Sequence, residues 1–298
     1  MTAPKISCRK LRASWNKTVD SVRPHLWSCW FDFAARFRSL PGTGTGTGGS
    51  EMIVSLTTKP SRLPKVHLAI ESLLQQSLPP HRIILWLSDE LTPADLPNVL
   101  RHQQRRGLEV RFRRDLRAYT KLIHALREHP ASVIITADDD TFYPRNWLAQ
   151  LYQSYLRQPQ FIHCHRAHLM LETPAGALRP YLEWEFFSPG RTGPSVWLLP
   201  TGVGGVLYPP RALPPETCAD DVFLKLCPSA DDIWFKAMAL LAGIPTVKVA
   251  PLFQEYLTIP GTQHERLMNL NWADGNNDRQ LQAVLEHYNL LPLSKMRR

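Results

Sequence analysis

A chain of 298 residues, 44 % hydrophobic and 20 % charged, is long enough for one large α/β domain or two small ones with a sizeable core. No run of about 18 apolar residues occurs, which excludes a bilayer-spanning helix, and the N-terminus lacks the apolar stretch of a secretory signal. The net charge of +9 is uneven: residues 1–50 carry eight Lys/Arg against two Asp, or +6, leaving +3 for the other 248. The excess belongs to one end and does not describe a nucleic-acid surface spread over a fold.

Residues 8–40 place Leu11, Trp15, Val19 and Val22 at helical spacing; Pro24 breaks the pattern, and Leu26, Trp30, Phe33 and Phe37 resume it. Basic faces opposite Trp and Phe suit helices lying at a membrane surface; a helical hairpin packed on the rest of the chain is the competing reading. Residues 41–50, rich in Gly and Thr, read as a flexible linker. They are not a Walker loop, because no Gly-Lys-Ser/Thr follows. The organisation expected is therefore a basic N-terminal segment over 1–40, a linker over 41–50 and a main domain over 51–298. The five cysteines (Cys8, Cys29, Cys164, Cys218 and Cys227) show no CxxC pair or zinc spacing, as in a cytosolic protein with reduced thiols.

From Met52 the pattern alternates strand and helix: strands over 52–57, 82–87, 108–112 and the apolar run 133–135, with helices over 64–76, from Thr92-Pro93 to about 105, and over 118–129. Repeated units of this length predict a parallel, right-handed, doubly wound sheet. The fourth strand ends in Asp138, Asp139 and Asp140. Adjacent carboxylates repel, and a hard divalent cation, Mn²⁺ or Mg²⁺, relieves the repulsion. Ligands in such sheets bind beyond the strands' carboxyl ends, where the triplet falls; a solvated acidic turn is the competing reading.

Further on, 144–156 reads as a helix and 160–171 as strand-like. His163, His165 and His168 alternate across that strand, a poor arrangement for one metal. Residues 173–200 are irregular and aromatic; Trp184 and Trp197 have faces suited to stacking on a sugar ring, with filling of the core under a loop as the alternative. The segment 201–208 holds glycines that allow backbone to approach a ligand closely, without the spacing of a dinucleotide fingerprint. Asp231 and Asp232 head a helix. Ser229 with Asp232 three residues on spells a capping box, a structural alternative to any catalytic role. A late strand over 244–249, a polar stretch and a last helix capped by Asn277 complete the chain.

The sequence Thr136-Ala-Asp138-Asp139-Asp140 after a buried strand resembles the DxD motif of GT-A glycosyltransferases, bacterial family-two-like enzymes in particular. The opening strand ending at Thr57-Thr58 with Arg62, the second strand's end at Asp89, and the segment 115–122 around Lys121 resemble that family's nucleotide-binding half, about 51–150. The resemblance implies a Rossmann-like GT-A fold with an acceptor half over about 151–298. It further implies nucleotide contacts from Thr57, Arg62, Asp89, Lys121, Asp138 and Asp139, a metal on Asp140 and Asp138 with His264 joining it, and acceptor contacts near Gly204 and Gly205. Asp232 or Asp231 then supplies the base of an inverting transfer. The activity implied is metal-dependent transfer of a sugar from a nucleotide-diphosphate donor, UDP foremost, to a glycan or glycolipid, in the cytoplasm or at the inner face of a bacterial membrane, with no nucleic-acid partner. Three successive Asp replace a plain DxD, and the QxxRW motif of processive synthases is absent, which favours single-sugar transfer. A sugar-phosphate nucleotidyltransferase, or a non-catalytic binder of anionic surfaces or nucleic acid, are the alternatives.

Overall fold

The structure, a computed structural model, describes residues 8–40, 42–44, 50–262 and 275–290, with side chains from residue 22 onward. A long helix, α1 (Cys8–Phe37), comes first. The body then alternates β1 (Met52–Thr57), α2 (Val66–Leu74), β2 (Arg82–Ser88), α3 (Asn98–Gln104), β3 (Leu108–Arg113), α4 (Thr120–Glu128), β4 (Val133–Thr136) and α5 (Trp147–Arg157). There follow β5 (Ile162–Cys164), β6 (Ala167–Leu169), β7 (Leu198–Pro200), β8 (Val206–Tyr208), α6 (Asp220–Leu226), α7 (Asp231–Leu241), β9 (Thr246–Lys248) and α8 (Asn276–His287).

Seven strands form one sheet in the order β3-β2-β1-β4-β8-β5-β9, and β6 and β7 make a separate antiparallel ribbon. Only β8 runs against its neighbours β4 and β5; the other pairings are parallel. This is the doubly wound, mostly parallel α/β architecture that the alternation predicts, consistent with a Rossmann-like GT-A fold. Successive strand residues point to opposite faces, and both faces are covered. Val54, Leu56, Leu85 and Ile135 pack with Ile70 and Leu73 of α2 and Leu148 and Leu151 of α5. Ile53, Ile84, Trp86 and Ile134 pack with Leu122 and Ile123 of α4, Ile233 and Met238 of α7 and Leu281 of α8. Each fully buried Ile or Leu contributes about 2 kcal/mol, which is why β-branched runs without alternation become interior strands.

Several boundaries differ from expectation. Pro24 does not break the N-terminal helix; α1 runs through it, because a proline deletes one helical hydrogen bond and its neighbours carry the rest. The helix expected from Thr92 is split: Thr92 and Asp95 cap a short turn over Pro93–Asp95, Leu96 is extended, and α3 starts beyond Pro97, as the residue before a proline avoids helical angles. The stretch 160–171 divides into β5 and β6, which join different sheets. Asn277 lies inside α8, with Gly275 at the cap position.

The described part of α1 is packed on the body. Phe31, Ala34 and Ala35 are buried, and Phe31 stacks on Phe142 at 5.3 Å within a small cluster containing Leu68, Ala69 and Ile259. Asp32 Oδ1 meets His67 Nε2 at 2.9 Å. Beyond the helix Arg106 Nε donates to the Leu40 carbonyl (3.1 Å), Gly42 N to the Arg106 carbonyl (2.9 Å) and Gly44 N to the Pro80 carbonyl (3.0 Å), so this part of the expected linker is held. Among the described residues no helix is long and apolar enough to cross a membrane.

Candidate functional site

Parallel pairing of β1 with β4 aligns Ser55 with Thr136, so the turns after both strands meet at the point where the strand order reverses, the usual ligand crevice of such sheets. A short turn over Pro60–Arg62 aims Arg62 back at the acidic turn. Arg62 Nη1 lies 2.7 Å from Asp139 Oδ1 and 3.2 Å from Asp140 Oδ2, and Thr58 Oγ1 donates to Asp139 Oδ2. Arg62 Nη2 also donates to the Thr262 carbonyl at 2.8 Å. The backbone of the turn is fixed as well: Asp138 N donates to the Tyr143 hydroxyl (2.7 Å) and Ile259 N to the Asp140 carbonyl (2.8 Å). Burial, with Asp138 and Asp139 adding repulsion, pushes the Asp140 carboxyl up to about 6, against the pull of Arg62.

Lys121 joins this turn to α7. Its backbone carbonyl accepts from Ser55 Oγ, which pins α4 against β1. Its Nζ lies 2.8 Å from Asp138 Oδ1 and 3.2 Å from Asp231 Oδ2. Burial pulls the ammonium down, but Asp138, Asp231 and Asp232 outweigh it and hold Lys121 charged. Asp232 turns the other way and accepts the Gly202 N–H, at 3.0 and 3.2 Å to its two oxygens. Burial, then Asp231, raises its pKa to about 7, while Lys121 and the Gly202 amide restrain it. The capping-box expectation fails: Ala230 is the residue at the cap of α7, no side chain caps it, and Ser229 instead pairs with Gln280 of α8. Both acids are thereby available to the crevice.

The remaining candidates are distributed differently. Thr57 Oγ1 donates to the Trp86 carbonyl at 2.9 Å, and Asp89 is exposed at the end of β2. Trp184 is 3 % exposed, packs on Tyr181 and donates its indole N–H to the Arg179 carbonyl, so its rings fill the core beneath the loop rather than line an opening. Trp197 does line a cavity of about 550 Å³, with Met170, Glu172, Arg179 and Arg191. Gly204 and Gly205 are needed for packing: an added Cβ would meet Arg166 Cβ at 2.6 Å and Trp147 Cζ2 at 2.4 Å, and Gly205 has φ +85°. His163, His165 and His168 bond Ser154, the Trp147 carbonyl and Phe187 N, and burial pushes His165 down to about 4 and His168 to about 3, leaving them neutral. His264 lies outside the described residues.

Three residues the sequence did not single out belong here. Thr58 holds Asp139. Gly202 leaves the gap between the charged groups: a Cβ there would sit 3.0 Å from Lys121 Nζ, 3.4 Å from Asp232 Oδ1 and 3.5 Å from Asp138 Oδ1. Arg166 is stacked over Phe187 at 4.8 Å and bonded to Thr201 Oγ1 at 3.0 Å; burial lowers its pKa, and Asp232 is the first of the charges that oppose this. The spacing of Gly-Val-Gly-Gly pointed at the segment and not at the member that faces the crevice.

Among the described residues no group of three or more His, Cys, Asp or Glu side chains is placed to hold a metal ion. The donors present are hard carboxylate oxygens, Asp138 with a quarter of its side chain exposed and Asp140 with a carboxyl disfavoured as an anion. Such a set fits a hard divalent ion that takes one or two carboxylates and completes its shell with phosphate oxygens and water.

No family model matches the chain, and no curated protein matches it. Among solved structures, the mannosyltransferase PcManGT from Pyrobaculum calidifontis, in complex with GDP-Man and Mn²⁺, is similar at 12 % identity and a TM-score of 0.46, over 94 % of this chain and 82 % of that one. A CMP:2-keto-3-deoxy-manno-octonic acid synthetase complexed with CTP is similar at 14 % identity and 0.42, over 78 % of this chain and 99 % of the other. A 4-diphosphocytidyl-2C-methyl-D-erythritol synthase is similar at 11 % identity and 0.37, over 60 % and 85 %. Likeness of this degree assigns no activity to the chain.

Proposed function

We propose that this protein is a metal-dependent inverting glycosyltransferase that moves one sugar from a nucleotide-diphosphate donor, UDP-linked by resemblance, to a glycan or glycolipid hydroxyl. The observation that carries this reading is Asp232: a carboxylate held by the Gly202 N–H, with a pKa of about 7, beside an acidic turn at the strand ends. A carboxyl raised by burial toward neutrality is matched to taking a proton from an attacking hydroxyl. Inversion needs the base and the departing diphosphate on opposite sides of the anomeric carbon, and Lys121 stands between Asp231 and the acidic turn.

In this reading Mn²⁺ or Mg²⁺, held by Asp138 and Asp140, offsets charge on the diphosphate when bound. Arg62 and Thr58 keep Asp139 oriented toward the donor's nucleoside side, and Thr57 and Asp89 mark the edge against which the nucleobase rests. Lys121 adds a fixed positive charge where negative charge develops, at no reorganisation cost during reaction. Trp197 is the acceptor-side aromatic.

The test is a nucleotide-sugar panel with the purified chain, with Mn²⁺ and then EDTA, read as nucleoside diphosphate release. Release that depends on metal and on Asp232 supports the proposal. Consumption of a nucleoside triphosphate with a sugar phosphate, giving pyrophosphate, would establish the nucleotidyltransferase instead.

A further inference from the structure

From Val22 onward, where its side chains are described, α1 is apolar on two sides, and one of them is packed on the body. Phe31, Ala34 and Ala35 face the body. Val22, Leu26, Trp30, Phe33 and Phe37 follow spacings of four, four, three and four, which at about 100° per residue places them in one sector about 80° wide on the other side. Leu26 is 62 % exposed, Trp30 and Phe33 59 % each and Phe37 69 %. Leu40 extends the stripe beyond the helix. An aromatic stripe of this length is costly in water and marks an interaction surface. A cavity of about 400 Å³ opens beside it, lined by Leu26, Trp27, Trp30 and Phe31 together with Tyr143 and Arg145.

Charge identifies what covers it. Residues 8–38 contain Arg9, Lys10, Arg12, Lys17, Arg23, Arg36 and Arg38 against Asp20 and Asp32; Arg36 and Asp32 offset one another in an ion pair, and the remainder is still strongly basic. A second copy laid on the stripe would bring these like charges together. A surface of lipid phosphates would neutralise them, and indole and phenyl rings belong at the headgroup level. Ser72 and Gln75 complete its lining, so the cavity joins an apolar wall from the helix to a polar rim with one guanidinium, as an interfacial lipid would require.

We propose that the outer face of α1 docks on an anionic phospholipid bilayer, its aromatic stripe entering the headgroup layer and the net positive charge of the segment drawing it to lipid phosphate. The inference is independent of the sugar-transfer reading, since its readout needs no donor. The full chain is sedimented with vesicles of phosphatidylglycerol and phosphatidylcholine, and with vesicles of phosphatidylcholine alone. The expected result is co-sedimentation with the anionic vesicles that weakens with salt, and a loss on the order of a hundredfold in partition for Trp30→Ser/Phe33→Ser/Phe37→Ser with an unchanged thermal midpoint. Should the triple variant lack a thermal transition, Phe33→Ser alone, read in the same way, decides. A wild-type chain left in the supernatant overturns the proposal, as does equal binding to both vesicle types. A wild-type dimer that the triple variant dissolves, without vesicle binding, puts a second copy on the stripe and overturns it too.

Discussion

Lys121 Nζ sits 2.8 Å from Asp138 Oδ1, and through this contact one ammonium ties the turn after β4 to the helix that carries Asp231 and Asp232. Replacing it, Lys121→Met, leaves three carboxylates facing one another around the Gly202 gap. Breaking a largely buried pair on one side is destabilising, here by about 2 kcal/mol because Asp138 keeps some solvent. Turnover falls by on the order of a hundredfold or more. Urea denaturation and donor turnover measure the two effects. A variant with wild-type turnover would remove Lys121 from the mechanism.

The pH dependence follows from Asp232. Its carboxyl must be ionised to take a proton, so kcat/KM rises with pH and levels off above about 7. Stability moves the other way. The folded state binds this proton more tightly than the unfolded chain does, so stability is lost as pH rises from the ordinary carboxylate range of about 4 to about 7. Asp232→Asn should remove the rise in the rate profile and lessen the stability slope in thermal melts, Asp140 keeping its own share below about 6.

Two glycines three residues apart should respond in opposite ways. Gly202→Ala places a methyl 3.0 Å from Lys121 Nζ and 3.4 Å from Asp232 Oδ1, which displaces the charged groups. The expected loss is about a hundredfold in turnover at a nearly unchanged melting temperature. Gly205→Ala drives a methyl into Trp147 at φ +85° and should cost a few kcal/mol of stability. Comparing melts and rates for the pair separates site from scaffold.

Asp140→Ala is expected to abolish metal-dependent turnover while the fold keeps its stability to within about 0.5 kcal/mol. The removed carboxyl is one that burial and two neighbouring acids already disfavour, and Arg62 keeps Asp139 as partner. Calorimetric melting beside an assay with added Mn²⁺ checks both halves.

Glu71 and Arg106 form a pair with side chains 0 % and 2 % exposed, joined by bonds of 2.7 and 2.9 Å. Arg106→Met should destabilise the protein by about 4 kcal/mol, and adding Glu71→Leu should recover part of the loss by removing the stranded charge. Chemical denaturation of the two variants tests this.

The parallel core was legible because interior strands of such a sheet are β-branched runs closed by polar turns, as in Val133–Thr136, and the acidic triplet stood out as unfavourable without a counter-charge. Local competition hid the rest. Pro97 ended a helix that periodicity carried through, whereas Pro24 did not end one. Ser229 and Asp232 have capping-box spacing, yet each found a stronger partner elsewhere, Gln280 and Gly202. The partners of Asp139 are the least readable: Thr58 and Arg62 are 81 and 77 residues away, and nothing in either neighbourhood announces the contact. Which glycine faces the crevice is likewise decided by Trp147 and Arg166 filling the space over the other two.

The stacking of Phe31 on Phe142 means that the N-terminal helix walls in the residues just behind the acidic turn, where Phe142 N and Ile259 N bond the Leu257 and Asp140 carbonyls. A shortened protein starting at residue 51 would therefore bare Phe142, Leu68 and Ile259 to water and slacken the backbone beneath Asp140. Inactivity of such a fragment would report a missing buttress and say nothing about whether the leader itself takes part in chemistry; point changes on the helix's outer side are the cleaner instrument.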